Sequence, residues 1–207
     1  MAKQGEIRLA QFAMIFGYPR ETLRAMDAKN TAPFRPKENA EGQRTYDATD
    51  LFAMQVFRDL IDSGGRHEDA SRGVLVSGAV SEVFERIEDG RSIADLCLIV
   101  PVSIIGTSWG PTLFPFVIEA GRISEIVMHQ IGTSQEAPVV YGQPLPKVGF
   151  KKLTIVSLKT AFDRAQESAK EAGYVIEGRG IYRSADSLDD DTDANETDAV
   201  DERGATE

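Results

Sequence analysis

The feature that most constrains the fold is a glycine and a proline, Gly17 and Pro19, which separate two short amphipathic patterns. Gly17 can adopt a positive φ angle without a Cβ penalty, and Pro19 suits the start of a helix, where no amide donor is needed. We therefore expect two helices that pack against each other across a tight turn, the second spanning about residues 19–28. Their shared apolar face, spaced as in helices, consists of Leu9, Phe12, Ala13, Phe16, Leu23 and Met26.

The second of these helices has a polar face that turns away from Leu23 and Met26. On that face, arginine and threonine side chains can reach phosphates or base edges in the major groove of DNA. The pattern predicts a recognition helix whose DNA contacts are Arg20, Thr22 and Arg24.

Residues 32–46 combine turn formers with basic side chains, which favours a two-stranded loop over a helix. Such a loop beside a recognition helix is a wing. We expect its contacts with the neighbouring phosphate backbone to come from Arg35, Lys37, Arg44 and Tyr46. Tyr46 is also expected to pack at the root of the wing, with its hydroxyl available to a phosphate.

A third helix is predicted after the wing, with Thr49 as its cap and Gly64-Gly65 as its stop. Its helical spacing is carried by Leu51, Phe52, Met54, Val56, Phe57, Leu60 and Ile61.

The order of these motifs resembles the MerR family of winged helix-turn-helix regulators, over about the first third of the chain. The matching residues are Thr22-Leu23-Arg24, Phe34-Arg35, Gly42-Gln43-Arg44-Thr45-Tyr46 and Asp50-Leu51. The resemblance implies a DNA-binding unit followed by a long dimerising helix. Residues 69–88 repeat apolar positions at helical spacing and are predicted to be one amphipathic helix that could serve this purpose.

The rest of the body predicts a small mixed domain. Residues 93–118 favour short strands, 153–158 a strand, 159–171 a helix closed by Gly173, and 174–182 a final strand. Residues 122–131 fit either a strand or a short helix, and 138–149 either a loop or an edge strand. The predicted class is α+β, with a winged helix-turn-helix domain at 6–65, a dimerisation or effector domain at 69–183 and a disordered acidic tail at 184–207.

Charge is distributed unevenly along the chain. The net charge is −10, but the chain from Ser184 onward holds ten acidic residues against Arg203 alone. The remaining body is nearly neutral, with 22 basic and 23 acidic residues, and Met1–Thr49 has eight basic against six acidic residues. This modest excess suits phosphate contacts by a small module. The tail either serves only as a solvated segment or competes with DNA for the basic face.

Residues that could support catalysis are scattered. Cys97 lies in an apolar run and is expected to be buried, while His67 and His129 have no metal-ligand spacing around them. Trp109, within Gly106–Pro111, either lines a small-molecule pocket or anchors a tight turn. The basic cluster Lys147, Lys151 and Lys152 either touches nucleic acid or is a solvated strand end. We expect no enzyme activity, no cofactor, no metal and no membrane segment.

The sequence thus predicts a cytoplasmic, sequence-specific transcriptional regulator that binds double-stranded DNA, as a homodimer on an inverted repeat. A small-molecule or protein effector would act at the second domain. Two alternatives remain open: an architectural or accessory factor in segregation, excision or phage-type control, and a protein-interaction adaptor without DNA binding.

Overall fold

The computed structural model describes residues 5–35, 37–39, 42–103, 115–130, 137–140, 142–144 and 150–185. Their helices are α1 (Leu9–Phe16), α2 (Arg20–Ala28), α3 (Ala48–Asp62), α4 (His67–Ser77), α5 (Ala79–Glu88), α6 (Ile123–Gln130) and α7 (Leu158–Glu171). Their strands are β1 (Ile7–Arg8), β2 (Lys37–Glu38), β3 (Arg44–Tyr46), β4 (Leu96–Ser103), β5 (Phe116–Glu119), β6 (Val139–Val140), β7 (Gln143–Pro144), β8 (Phe150–Ser157), β9 (Tyr174–Glu177) and β10 (Gly180–Arg183).

The turn between α1 and α2 confirms the predicted helix pair. Gly17 ends α1 with a φ angle of +65°, and Pro19 precedes α2 with a φ angle of −59°. The amide of Tyr18 donates to the carbonyl of Ala13 at 3.0 Å, which closes the turn. The expected apolar face is buried except for Leu9, which is half-buried.

The wing is present as an antiparallel pair of strands, β2 and β3. A third strand that was not predicted, β1, pairs with β3 on its other side, so that Ile7 lies opposite Tyr46. Its two residues are too few to show an alternating pattern. The wing is therefore tied directly to the residues that lead into α1.

The predicted cap of α3 is wrong by two residues. The N-cap is Asp47, whose carboxylate accepts the amides of Thr49 at 2.8 Å and Asp50 at 3.3 Å. The carboxylate of Asp50 in turn accepts the amide of Asp47 at 3.0 Å, so the two aspartates form a capping box. The predicted stop is confirmed, since α3 ends at Asp62 and Gly64 has a φ angle of +81°.

The prediction of one helix over residues 69–88 is also wrong. Two helices, α4 and α5, meet at Gly78, whose φ angle of +69° breaks the helical path. The hydroxyl of Ser77 accepts the amide of Ala79 at 3.2 Å and so serves the new helix start. The apolar spacing continues across the break, which is why periodicity alone suggested one helix.

The central sheet has the antiparallel order β5-β4-β8. Residues 122–131, which fitted two interpretations, contain helix α6, and residues 138–149 contain the paired strands β6 and β7. The strand and helix predicted at 153–158 and 159–171 are confirmed as β8 and α7. In place of one final strand the chain forms an antiparallel hairpin, β9 and β10.

One continuous core contains buried side chains from Ile7 near the amino terminus to Ile181 near the carboxyl terminus. At its centre Phe52 of α3, Phe84 of α5 and Phe162 of α7 pack edge to face, with ring centroids 5.8–6.0 Å apart. This packing joins the third helix of the N-terminal unit to the elements that follow. The molecule is a mixed helix and sheet structure.

The remaining predictions concern Cys97, three segments of the chain and the absence of a membrane helix. Cys97 is buried, as expected, and burial raises the pKa of its thiol. The Gly106–Pro111 stretch, Lys147 and the acidic residues 186–207 lie outside the described residues. In the described part of the chain, no helix has both the length and the apolar character to cross a bilayer.

Candidate nucleic-acid interface

A groove of about 480 Å³ lies between α2, the start of α1 and the wing. Its distinguishing feature is four arginines that come from separate parts of the N-terminal unit, one from β1, two from α2 and one from β3. The groove is lined by Arg8, Leu9, Ala10, Arg20, Leu23, Arg24, Gly42, Gln43, Arg44 and Tyr46.

Local structure explains why these arginines converge. Arg20 and Arg24 are four residues apart on α2 and therefore project from one face, while Leu23 between them is buried and fixes the helix against α1. Arg8 reaches the same groove because β1 pairs with β3, which carries Arg44. All four arginines are exposed.

The arginines differ in their ionic partners. Among the described residues, Arg8, Arg20 and Arg24 form no ion pair. Arg44 pairs with Asp27 in the last turn of α2. Among the described residues, the groove thus has three positive charges without an ionic partner and one that links the wing to α2, an arrangement suited to a polyanion.

Tyr46 forms part of the groove lining from the root of the wing. It is buried, and its ring stacks on Phe12 with centroids 4.5 Å apart and meets Phe34 edge-on at 5.7 Å. Burial raises the pKa of its phenol, although the charges of Arg44 and Arg24 act in the opposite direction. Tyr46 is therefore a neutral packing residue that holds the wing against α1.

Lys37 connects the wing to α3 through a hydrogen-bonded ion pair with the N-cap residue Asp47. This bond raises the pKa of Lys37. Burial would raise the pKa of Asp47, but hydrogen bonds from Lys37 and Thr49 outweigh it and leave that pKa lowered. Burial raises the pKa of the neighbouring Asp50 carboxyl to about 7, with the charge of Asp47 acting in the same direction.

The remaining predicted contacts lie outside the four-arginine groove. Thr22 is exposed on α2 but does not line it, and Lys37 is engaged with Asp47. Arg35 is exposed and lines a second groove of about 440 Å³ together with Asp27, Glu38 and Arg44. The structure therefore brings together Arg20, Arg24, Arg44 and Tyr46 out of the seven predicted residues.

Sequence reasoning missed two cations. Arg8 lies in a strand too short to recognise, and only the pairing of β1 with β3 brings it to the groove. Arg58 of α3 lies over the rings of Phe16 and Tyr18, at 5.7 and 5.9 Å from their centroids, beside the turn that joins α1 to α2. Its position in an apolar helical pattern gave no sign of this contact.

A smaller pocket of about 260 Å³ lies at α5, β5 and β6. It contains Arg86, which pairs with Glu82 at 2.6 Å, and Arg122, which pairs with Glu125 at 3.2 Å. Within the described residues, no three histidine, cysteine or carboxylate side chains cluster as metal ligands would.

Comparison with known families agrees with the geometry of the groove. Residues 7–73 match the family model described as MerR HTH family regulatory protein. A search of curated proteins found no match. The matched range includes the helix pair, the wing, all of α3 and the first part of α4, and hence every residue that lines the four-arginine groove. Residues 7–73, the N-terminal third of this chain, are a helix-turn-helix region of the MerR regulatory family.

Proposed function

We propose that the protein is a sequence-specific, DNA-binding transcription regulator that acts in the cytoplasm as a homodimer on an inverted repeat. The observation that carries this proposal is the groove in which Arg8, Arg20, Arg24 and Arg44 converge inside a region that matches a regulatory family. Clustered arginines beside a short exposed helix supply both phosphate contacts and base readout.

Each predicted residue has a role in this proposal. Arg20, Thr22 and Arg24 on α2 contact base edges and phosphates in the major groove. The wing residues Arg35, Lys37 and Arg44 contact the adjacent DNA backbone. Lys37 does so while it stays paired with Asp47, whereas Arg44 exchanges Asp27 for a phosphate when DNA binds. Tyr46 holds the root of the wing in place by packing on Phe12 and Phe34. Arg8, at the other end of the groove, adds a phosphate contact.

Residues 69–183 provide dimerisation or effector binding in this proposal. A two-fold dimer presents two recognition helices to two half-sites, which is why an inverted repeat is expected. The pocket beside Arg86 and Arg122 is the candidate site for a small charged effector. Its signal would reach the N-terminal unit through the packing of α5 and α7 on α3.

The test begins with selection of bound duplexes from a random-sequence pool by the full chain, followed by fluorescence anisotropy on the selected duplex at several salt concentrations. Arg24→Ala is expected to weaken binding and to reduce the preference for the selected duplex over a scrambled one. Arg44→Ala is expected to weaken binding to both duplexes and to reduce the salt slope by about one. Equal effects of the two substitutions would contradict the assigned roles.

Arg91→Ala is the matched control, because Arg91 is exposed, pairs with Asp89 at 2.9 Å and lies outside the matched region. It should leave both affinity and preference unchanged. If the full chain enriches no sequence and binds no duplex at low salt, the proposed function is wrong and a protein-interaction adaptor becomes the better description. Strong bending of the duplex without an effect on transcription would instead favour an accessory factor.

A further inference from the structure

The groove carries more positive charge than the described residues around it neutralise. Arg8, Arg20 and Arg24 form no ion pair with a described residue, although acidic side chains are abundant in the chain as a whole. Ten of the 33 acidic residues lie in residues 186–207, where Arg203 is the only basic residue. Hence the densest run of acidic residues and a group of exposed arginines without a described ionic partner belong to opposite ends of one chain.

The fold brings these two ends together. The amide of Ile181 in β10 donates to the carbonyl of Gly5 at 2.9 Å. A Cβ atom on Gly5 would lie 3.0 Å from the hydroxyl of Tyr182, so the hairpin packs closely on the amino-terminal segment. Gly5 is three residues before Arg8, which lines the groove, and Ala185, the last described residue, is four residues after Ile181.

Chain geometry shows that residues 186–207 can span this distance. The two short segments from Ile181 to Ala185 and from Gly5 to Arg8 place Ala185 within roughly 30 Å of Arg8, because each residue advances at most about 3.6 Å. A segment as long as residues 186–207 extends up to roughly 75 Å. Any flexible coil of 22 residues has a root-mean-square span of about 25 Å, and repulsion between like charges lengthens such a coil.

We propose that the acidic segment 186–207 occupies the four-arginine groove of its own chain when DNA is absent, and that DNA must displace it. This inference rests on the proposed function for the identity of the competitor. The segment's carboxylates take the positions of DNA phosphates beside Arg8, Arg20 and Arg24. A contact of this kind is electrostatic, so it depends on charge rather than on the order of the residues, and salt weakens it. The segment therefore competes most strongly with duplexes that bind through phosphate contacts alone, because those duplexes make no base contacts that would help to displace it.

The first experiment needs no DNA. A nitroxide spin label on Ala205→Cys, in a full chain that carries Cys97→Ala, is used to broaden nearby backbone amide signals in NMR spectra. Signals of Arg8, Arg20 and Arg24 are expected to broaden at low salt and to recover at about 0.5 M salt. A full-length variant with every Asp and Glu of 186–207 changed to Asn and Gln should lose this broadening. A variant with the same residues in scrambled order should retain it.

Broadening that is absent from the groove, or that persists in the neutral variant, would overturn the inference. A mixture of spin-labelled chains without ¹⁵N and ¹⁵N-labelled chains without the spin label tests whether a second copy supplies the segment. Groove broadening as strong in that mixture as in the sample where each chain carries both labels would overturn the assignment to the same chain.

The second experiment measures duplex binding by anisotropy at low salt. The neutral variant should bind a mixed-sequence duplex about tenfold more tightly than the natural chain, and the difference should shrink as salt rises. Equal affinity of both chains would overturn the competition. If neither chain binds DNA while the spin label still broadens the groove, the proposed function fails but occupation of the groove by the segment stands.

Discussion

The recognition helix and the wing both present cations, but the cations are held differently. On α2, Arg20 and Arg24 extend into the groove without an ionic partner among the described residues. On the wing, Arg44 pairs with Asp27 and Lys37 pairs with Asp47. Charges of one sign in neighbouring segments thus serve two purposes. Those on α2 are available to a ligand, while those on the wing also hold the wing in position.

The two wing pairs differ in turn. Asp27 is only partly buried and lies at the end of α2, so Arg44 can leave it at a small cost. Asp47 is almost fully buried and caps α3, so Lys37 contributes to the start of α3 as well as to the wing. Rearrangement of the wing on a ligand is thus expected around Arg44 and not around Lys37.

The largest expected effect removes what holds both regions together. Phe12→Ala should lower the free energy of unfolding by about 3–5 kcal/mol, because a fully buried ring that packs on Phe16, Phe34 and Tyr46 is replaced by a cavity. Urea unfolding followed by circular dichroism measures this. Met14→Ala on the same helix is the control, since Met14 is 56% exposed and should change stability by less than about 0.5 kcal/mol. Equal losses would show that the wing does not depend on this cluster.

The next effect is a pH dependence at the wing anchor. The pKa of Asp50 is raised from 3.8 to about 7 in the folded protein. Between these two pH values the carboxyl group of Asp50 is mostly protonated in the folded state and mostly ionised in the unfolded state. Stability from this group is complete below about pH 4 and is lost as the pH rises towards 7, by roughly 2 kcal/mol between pH 5 and pH 7.

Asp50→Asn should flatten this slope, because an amide does not titrate and its oxygen can still accept the amide of Asp47. Urea unfolding at pH 5, 6, 7 and 8 compares the two proteins. The lowered pKa of Asp47 acts at more acidic pH, where protonation removes stability, and so does not mask the trend. Identical slopes in the two proteins would exclude Asp50 as the source.

A smaller effect separates the cap from the ion pair. Asp47→Ala removes the side chain that accepts two amides of α3 and the partner of Lys37, and should cost about 1–2 kcal/mol. Asp47→Asn retains a capping oxygen and should cost about half as much. If the two variants are equally destabilised in urea unfolding, the charge of Asp47 contributes more than its capping bonds.

The smallest effect concerns Arg44. Because its pair with Asp27 is partly exposed to solvent, Arg44→Ala should change the free energy of unfolding by less than about 0.5 kcal/mol. Thermal unfolding monitored by circular dichroism, with Arg20→Ala as the unpaired comparison, measures this difference. A loss above about 1 kcal/mol would mean that Arg44 fixes the wing and is not free to exchange Asp27 for a phosphate.

Local sequence signals predicted the elements that obey strong local rules. The turn at Gly17 and Pro19, the wing strands, the stop at Gly64 and helix α7 with Gly173 all follow from backbone preferences and apolar spacing. Errors arose where neighbouring signals compete. Thr49 and Asp47 are both residue types that cap helices well. Asp47 is the cap because its carboxylate accepts two backbone amides and also pairs with Lys37. Apolar residues keep a helical spacing throughout residues 69–88, but Gly78 divides this segment into two helices.

The sequence by itself determined the helix pair, the exposed arginines of α2 and the concentration of acidic residues after Ala185, because each depends on residues close together in the chain. Tertiary structure alone decided that Arg8 joins those arginines and that Arg44 and Lys37 each pair with an aspartate. It also decided that the carboxyl-terminal hairpin packs on Gly5. These contacts depend on strand pairing and helix packing between segments far apart in the chain. Local sequence patterns cannot predict these contacts. The charge of a side chain can be read from the sequence, but its distance in the fold from a residue far along the chain cannot.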